Sequence, residues 1–210
     1  LISVNKHGEN SISGVYGANM SLPEKQLIAA KESIHDADFL LLQNEIPVEL
    51  NMSIAKYAKS KNIPVFWDPA PANKDYIGIM EFCSYITPNI IEAEEITGLN
   101  IKTPEQAIKA CEWISDSYPE ITPLITLDKE GVAVSFDNNT KIIKSFEVDV
   151  VDTIGAGDAF IAGLAISIAE GNNFIDACNF ANATAALSVT KQGAQTSMPN
   201  RNTVEKFLEI

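Results

Sequence analysis

The chain has 210 residues, of which 46% are hydrophobic, and its formal net charge is -13 at pH 7. This length predicts one domain with a sizeable core, and no apolar run is long enough to cross a membrane. The negative charge disfavours nucleic-acid binding, because contacts to phosphates need clustered Lys and Arg. Cys83, Cys111 and Cys178 are widely spaced, which predicts core thiols in a reducing compartment, and we expect the cytoplasm.

The first 18 residues have the pattern of a β hairpin. Two β-tending runs, 1–4 and 11–16, flank a polar stretch that contains turn residues, 5–10. The chain begins like the inside of a strand rather than like a leader sequence. Because this segment is more polar than the later parts of the chain, we interpret it as a flap rather than as part of the core.

From residue 21 onwards, short apolar runs alternate with helical patterns. Ser21 and Glu24 form a capping box that predicts a helix with Ser21 as its N-cap, and Thr103 with Gln106 forms a second box. Helices are predicted over 21–35, 47–62, from 103 onwards, 157–170 and 174–190. Strands are predicted over 38–43, 63–67, 84–87 and 121–127, with a hairpin around 137–139. This alternation predicts a parallel sheet covered on both faces, with ligands at the carboxyl ends of its strands.

The segment 152–160, Asp-Thr-Ile-Gly-Ala-Gly-Asp-Ala-Phe, leads from irregular backbone into a helix. Gly155 and Gly157 let backbone N–H groups approach a ligand, and a helix N-terminus attracts phosphate. Asp158 places a carboxylate at the same point, which repels phosphate but suits a base that takes a proton from an attacking hydroxyl. This predicts phosphoryl transfer; the alternative is that Asp158 only stabilises the first helical turn.

Other nucleotide-binding motifs are excluded by the same stretch and by the rest of the chain. A dinucleotide fingerprint needs a third Gly where Phe160 stands. A Walker A loop needs Gly-Lys, and no Gly in this sequence precedes a Lys. Neither the His-Arg-Asp nor the Asp-Phe-Gly motif of protein kinases occurs.

The segment 152–158 resembles the Asp-Thr-x-Gly-Ala-Gly-Asp signature of the ribokinase-like (PfkB) carbohydrate kinases. The resemblance implies an anion hole of Gly155, Ala156 and Gly157, with Asp158 as catalytic base. It extends over all 210 residues, and implies a three-layer α/β sandwich with a mainly parallel sheet. Residues 1–18 are then a partial β lid and residues 19–210 the nucleotide- and sugar-binding core. The first third of the family's chain would be missing, and the complete protein would form a homodimer through the lid.

Three further stretches resemble the family's ATP site. Residues 87–94 match its Asn-x-x-Glu element, which implies that Asn89 contacts phosphates and that Glu92 organises Mg²⁺ through waters. Without the resemblance, Glu92 would belong to a solvated helix face. The strand and turn around 125–131 imply nucleotide contacts from Thr126, Leu127, Asp128, Lys129, Glu130 and Gly131, although many relatives have Gly in place of Asp128. Asn182 matches a position near the base and ribose of ATP; the alternative is a polar residue satisfied between helices.

The stretch 41–45, Leu-Leu-Gln-Asn-Glu, resembles a strand end of the family whose Glu contacts the sugar. It implies that Glu45 binds the sugar together with Asp158, and carboxylates suit polyols because they accept hydrogen bonds from hydroxyls. The alternative for Glu45 is an acid near a helix start. Residues 68–72, Asp-Pro-Ala-Pro-Ala, resemble a family stretch that begins with Asn, so Asp68 is a departure.

The loop 189–197 resembles a monovalent cation site of the family. The resemblance implies K⁺ ligands on two sides: Asp152 with the Ile154 carbonyl, and the carbonyls of Ser188, Lys191 and Gly193 with the Ser197 hydroxyl. Relatives often have Arg in place of Lys191, but a carbonyl ligand does not depend on the side chain. The alternative is an ordinary surface turn.

These resemblances together imply transfer of the γ-phosphoryl group of MgATP to O5 of D-ribose, under a lid that excludes water. The nearest alternative is another sugar or nucleoside kinase of the family, such as a fructokinase. The alternative from a different class is a non-catalytic ATP-binding or interaction protein. Asp158 with its two glycines favours an enzyme.

Overall fold

The computed structural model describes residues 2–4, 10–12, 14–21 and 23–209. Their strands are β1 Ile2–Val4, β2 Asn10–Ile12, β3 Leu40–Leu42, β4 Val65–Trp67, β5 Tyr85–Ile86, β6 Thr122–Thr126, β7 Val132–Phe136 and β8 Asn139–Ile143. Strands β3 to β8 form one sheet in chain order. The sheet is parallel from β3 to β6 and antiparallel from β6 to β8. The predicted α/β architecture, with carboxyl ends aligned along one edge, is confirmed.

The described residues contain seven α-helices. They are α1 Glu24–His35, α2 Val48–Ser60, α3 Ile90–Thr97, α4 Pro104–Ser117, α5 Ala156–Ala169, α6 Phe174–Ser188 and α7 Arg201–Leu208. Helix α4 begins at the predicted capping box, in which Thr103 and Gln106 bond each other's backbone N–H. Within the described residues, no helix is long and apolar enough to cross a membrane.

The predicted start of α1 at Ser21 is wrong. Pro23 is the N-cap residue, in an extended conformation, and no described side chain caps this helix. A residue before proline avoids the helical region, so the helix cannot begin ahead of Pro23. Ser21 instead ends the 3₁₀ turn Gly17–Met20, because its N–H bonds to the Ala18 carbonyl.

The sheet has apolar side chains on both faces, as a three-layer sandwich requires. Val65 and Trp67 belong to a core cluster that includes residues of α2, α3 and α4. Phe66, between them in β4, belongs to a second cluster with residues of α5 and α6. Leu124 and Ile125 of β6 divide between the two clusters in the same way. Successive strand side chains point to opposite faces, so short runs without polar interruption fill both layers.

Helices α5 and α6 pack closely because small residues face each other. A Cβ on Gly163 would lie 2.8 Å from Thr184 Oγ1 and 3.1 Å from Ala181 Cα. Any side chain there would push the helices apart. This contact therefore sets the spacing between α5 and α6.

The hairpin predicted in the first 18 residues is confirmed as an antiparallel pair, with Ile2 opposite Ile12 and Val4 opposite Asn10. Strand β2 begins at Asn10 and ends at Ile12, whereas residues 14–16 have no regular structure. The turn was predicted over 5–10; Asn10 begins β2, and residues 5–9 lie outside the described residues.

The three cysteines are buried and unbridged among the described residues, as predicted. Burial raises the pKa of the Cys111 and Cys178 thiols to about 12. Such thiols stay protonated at neutral pH and act as small apolar residues.

Candidate active site

The predicted anion-binding segment stands at the start of α5. Gly155 is the N-cap residue with φ 81°, and no side chain of the described residues caps the helix. A Cβ on Gly155 would lie 3.2 Å from Met198 Cε and 3.5 Å from Ala194 Cα, so the loop between α6 and α7 packs against this turn. The Ala156 N–H makes one long bond, 3.3 Å, to the Thr153 carbonyl. An uncapped helix start of this kind offers N–H groups and positive potential to a phosphate.

The Gln43 side chain connects the carboxyl edge of the sheet to the start of α5 by hydrogen bonds. Gln43 follows β3, Asp68 follows β4, and Asp158 lies in the first turn of α5. The Gln43 Nε2 atom lies 3.1 Å from Asp68 Oδ2 and 3.2 Å from Asp158 Oδ1. The stretch 41–45 was predicted to act through Glu45, and Gln43 was missed. Its position directly after a short apolar strand was the signal available.

Asp68 is the most perturbed acid of this edge. Its pKa rises to about 7, chiefly because burial disfavours the charged form, and the nearby charges of Glu92 and Asp158 raise it further. The hydrogen bonds from Gln43 and from the Ala70 N–H act in the opposite direction. An Asp in place of Asn therefore adds a group that titrates near neutral pH.

Asn89 and Glu92 form a reciprocal capping box at the start of α3. Asn89 Oδ1 accepts from the Glu92 N–H at 3.0 Å, and Glu92 Oε2 accepts from the Asn89 N–H at 2.8 Å. Glu92 is only 6% exposed, so the alternative of a solvated helix face is wrong. Burial raises the pKa of Glu92, and the hydrogen bonds with Asn89 partly offset this rise. The Asn-x-x-Glu pattern is itself a capping signal, and the start of α3 could have been predicted from it.

Asn89 lies next to the first residue of the predicted nucleotide loop. It forms an isolated parallel bridge with Thr126, whose N–H donates to the Pro88 carbonyl at 2.9 Å. The ends of β5 and β6 thus bring two of the predicted ATP contacts together. They are separated by 37 positions in the numbering of the chain.

The loop after β6 is held by two residues with positive φ. Gly131 has φ 100°, and a Cβ there would lie 2.1 Å from the Ile143 carbonyl oxygen, so only glycine fits. Asp128 has φ 48°, a conformation that Gly adopts freely and that Asp tolerates better than most residues. The positive φ at Asp128 is the conformation expected where the resemblance predicted Gly. The Leu127 N–H closes the loop on the Gly131 carbonyl at 2.8 Å.

The predicted ATP contact Asn182 is buried against the end of β8. Its Nδ2 atom donates to the Ile143 carbonyl at 3.2 Å and to the Lys144 carbonyl at 3.1 Å. It is therefore satisfied between a helix and a strand end rather than between helices. Because Gly131 packs on the same residues, Asn182 and the nucleotide loop converge there.

Asp152 joins the two sides of the predicted cation site. Its Oδ1 accepts from the Ile154 N–H at 3.1 Å and its Oδ2 from the Gly193 N–H at 2.9 Å. The Gly193 N–H lowers the pKa of Asp152 most, and the Ile154 N–H lowers it further. Ser188 and Ser197 are each 1% exposed, so the loop is anchored at both ends although its middle is exposed. Lys191 is exposed and donates its N–H to the Ser188 carbonyl at 3.4 Å.

Glu45 is exposed in the loop that follows β3. The next residue is held in place, because the Tyr76 hydroxyl donates to the Ile46 carbonyl at 2.6 Å. On the other side, the buried Asn44 donates to the Pro69 and Pro71 carbonyls at 2.9 and 3.0 Å and accepts from Trp67 Nε1. The loops after β3 and β4 are thus tied to each other, with the Glu45 carboxylate facing solvent.

Acidic residues at the carboxyl edge of the sheet, Asp68 and Glu92, face an uncapped helix N-terminus that carries the Asp158 carboxylate. This is the arrangement of an α/β phosphotransferase. The sequence pattern of the family described as pfkB family carbohydrate kinase matches residues 1–201. The chain belongs to this family, whose members transfer a phosphoryl group to an alcohol.

The relatives include proteins named ribokinase. The chain is 39% identical to the Haemophilus influenzae ribokinase over 209 residues, which is 100% of this chain and 68% of the relative. It is 40% identical to the Bacillus subtilis ribokinase, over 96% of this chain and 65% of the relative. The structure of Arabidopsis thaliana ribokinase complexed with ribose and ATP matches with a TM-score of 0.86 and 30% identity, over 100% of this chain and 68% of that one. The chain spans about two thirds of the length of these relatives, and the predicted fold is confirmed.

Proposed function

We propose that this chain carries the transfer of the γ-phosphoryl group of ATP to O5 of D-ribose, giving D-ribose 5-phosphate. Relatives named ribokinase at 39% and 40% identity support the reaction, as does the likeness to a structure complexed with ribose and ATP. The observation that carries the proposal is the Asp158 carboxylate at the uncapped start of α5, facing Gln43 from the end of β3. A base in that position meets a sugar hydroxyl and a phosphate at once.

In this proposal the protein mainly aligns the reactants and stabilises charge. Asp158 takes the proton of the attacking hydroxyl late in the transfer, because a loose transition state does not need early deprotonation. The N–H groups of Gly155, Ala156 and Gly157 stabilise charge on the transferring group. The long bond of the Ala156 N–H to Thr153 is weak enough for a phosphate oxygen to replace it. Asn89, the loop 126–131 and Asn182 contribute contacts to ATP.

Glu92 is the residue that would hold Mg²⁺, by way of waters, beside Asn89 with its contact to the phosphates of ATP. The fit rests on Glu92, which is buried yet acidic and uses Oε2 for the Asn89 N–H, leaving Oε1 for a metal-bound water. Asp68 lies close enough to interact with Glu92, and in its ionised form it increases the attraction for a cation. When bound, Mg²⁺ neutralises negative charge on the β- and γ-phosphates.

A K⁺ site between Asp152 and the loop 188–197 is also part of the proposal. The ligands would be Asp152, the carbonyls of Ile154, Ser188, Lys191 and Gly193, and the Ser197 hydroxyl. The fit rests on donor chemistry, because these ligands are oxygens and the one charged group is already fixed by two N–H groups. Gly155 packs on the same loop, so an ion there would brace the anion hole.

Sugar recognition is assigned to Glu45 and Asp158, whose carboxylates accept hydrogen bonds from hydroxyls.

We propose that the hairpin in residues 1–18 belongs to a lid over the core 19–210 and joins two copies in a homodimer. We also propose a cytoplasmic location, with ribose and ATP rather than nucleic acid or membrane as partners. The buried free thiols support the cytoplasmic location, and the net charge of -13 disfavours nucleic acid as a partner.

The test is ADP release by the protein expressed at its full genomic length. Ribose, 2-deoxyribose, fructose and adenosine would be compared as acceptors, with ³¹P NMR of the product to identify the phosphorylated oxygen. We expect ribose to give the highest kcat/KM and a 5-phosphate. A higher value for fructose or adenosine would assign the chain to another activity of the family. No ADP release with any acceptor would favour a non-catalytic ATP-binding protein.

A further inference from the structure

We propose that Gln43 is a positioning residue for the base: its amide holds the Asp158 carboxylate by Oδ1 and ties it to Asp68 before the sugar binds. The inference rests on the proposed function, because it assigns a role within the same phosphoryl transfer. It concerns a residue that was absent from the site predicted from the sequence.

The hydrogen-bond geometry at Gln43 supports this role first. A Gln amide nitrogen carries two hydrogens, and Gln43 Nε2 has an acceptor for each, Asp68 Oδ2 at 3.1 Å and Asp158 Oδ1 at 3.2 Å. Within the described residues, the Asp158 carboxylate accepts a hydrogen bond from no other side chain. The Gln43 contact therefore leaves Oδ2 of Asp158 as the oxygen that is free to receive the hydroxyl proton.

Asp158 has few other constraints on its orientation. It is exposed and lies in the first turn of a helix, and an exposed carboxylate rotates easily between staggered conformations. Above about pH 7, where Asp68 is ionised, its negative charge repels that of Asp158. A donor shared between the two acids converts this repulsion into a fixed arrangement, because a hydrogen bond to an ionised acceptor is stronger than a neutral one.

Gln43 itself is rigidly supported from beneath. Asn51 of α2 is 0% exposed and donates to the Gln43 carbonyl at 2.6 Å. The next residue, Asn44, is fixed by two donated bonds and one accepted bond. The bond to Gln43 gives the buried Nδ2 donor of Asn51 its acceptor, whereas Asn51 Oδ1 has no partner among the described residues. Together with the bonds of Asn44, it fixes the backbone from which Gln43 reaches the acids. A supported residue of this kind is what holds a reactive group in a single geometry.

The test uses Gln43→Met and Gln43→Glu in the full-length protein, with Gln26→Met as a matched control, since Gln26 is exposed on α1. Gln43→Met has similar length but no donor. We expect its kcat to fall about tenfold, with the KM for ATP changed less than twofold, because only orientation of the base is lost. The control should stay within twofold of the unsubstituted enzyme in both parameters.

Gln43→Glu supplies a pH signature that a merely structural role would not give. Its carboxyl faces Asp68 and Asp158, with the charge of Glu92 close to Asp68, so at pH 8 it should lower kcat more than Gln43→Met does. When protonated it can donate one hydrogen bond, and its kcat relative to the unsubstituted enzyme should rise as the pH falls towards 6. Kinetics of Gln43→Met and Gln43→Glu equal to those of Gln26→Met would overturn the inference.

A second measurement separates this inference from the proposed function. In Gln43→Met, loss of the donor should raise the pKa of Asp68 above about 7, which carboxyl ¹³C NMR detects without any turnover. If the unsubstituted protein phosphorylates no acceptor, the proposed function is rejected. An unmoved Asp68 titration then rejects the Gln43 contact as well, whereas a raised pKa retains it. Thermal unfolding of each variant verifies that the readouts come from folded protein.

Discussion

Replacing Asp68 by Asn should stabilise the folded chain, and only above acidic pH. The pKa of Asp68 rises from 3.8 to about 7 on folding, mainly through burial. Between these pH values the unfolded chain has lost this proton while the folded chain retains it, so the folding free energy becomes less favourable as the pH rises. The Asp68 penalty is absent below about pH 4 and complete above about pH 7. Asn has nearly the same shape and cannot ionise.

The size of the effect follows from the pKa difference. At about 1.36 kcal/mol per pKa unit, the cost of ionising Asp68 in the folded protein is about 4 kcal/mol at most. Asp68 is only partly buried, and solvent screening reduces the cost to about 2 kcal/mol. The hydrogen bond from Gln43 is retained, because the Asn carbonyl accepts as Asp68 Oδ2 does. We therefore expect a gain of about 2 kcal/mol in the free energy of unfolding at pH 8.

The measurement is urea unfolding of both proteins at intervals from pH 4.5 to 8.5. The difference between the two free energies of unfolding isolates Asp68 from the other acids, whose titration is common to both proteins. It should already increase with pH at 4.5 and level off above about pH 7. An equal stability at pH 8, or a difference that does not change with pH, would refute the burial of an unfavourable charge at this position.

Three further results are expected of the full-length protein. Asp158→Asn should lower kcat roughly 10²–10⁴-fold with little change in the KM for ATP, and near-normal turnover would remove Asp158 as the base. Glu92→Gln should raise the Mg²⁺ concentration needed for half-maximal rate, since a water-binding charge is lost; an unchanged Mg²⁺ dependence would limit Glu92 to its capping role. At constant ionic strength the rate should rise more with K⁺ than with Na⁺, and Asp152→Asn should weaken that preference. Equal rates in the two salts would exclude the cation site at Asp152.

The elements that were predicted correctly depend on signals close together in the sequence. The capping box at Thr103 and the hairpin turn at 137–138 each use residues within a few positions. Strands of two to five residues were visible because parallel strands between two helical layers are apolar on both faces. Where a local signal was outweighed, as at Ser21, the competing residue was also local: Pro23 prevents the earlier start.

The features that were not predicted join distant parts of the chain. Gln43 and Asp158 are 115 residues apart, and nothing in either neighbourhood indicates the contact. The raised pKa of Asp68 likewise arises from burial and from charges on α3 and α5, rather than from residues next to it. Burial and electrostatic potential are properties of the assembled edge, so a sequence pattern can select the residue types but not their ionisation.

The Asn-x-x-Glu element shows how one pattern serves both folding and chemistry. Its two side chains bond each other's backbone N–H groups at the start of α3, and this alone would maintain both residues without any ligand. A capping box is normally exposed, however, whereas Glu92 is buried beside Asp68 at the carboxyl edge. An exposed carboxylate would cap the helix equally well, so burying the Glu92 carboxylate for capping alone is unfavourable. The surplus cost is consistent with a role in binding a cation, and the Mg²⁺ dependence of Glu92→Gln separates that role from capping.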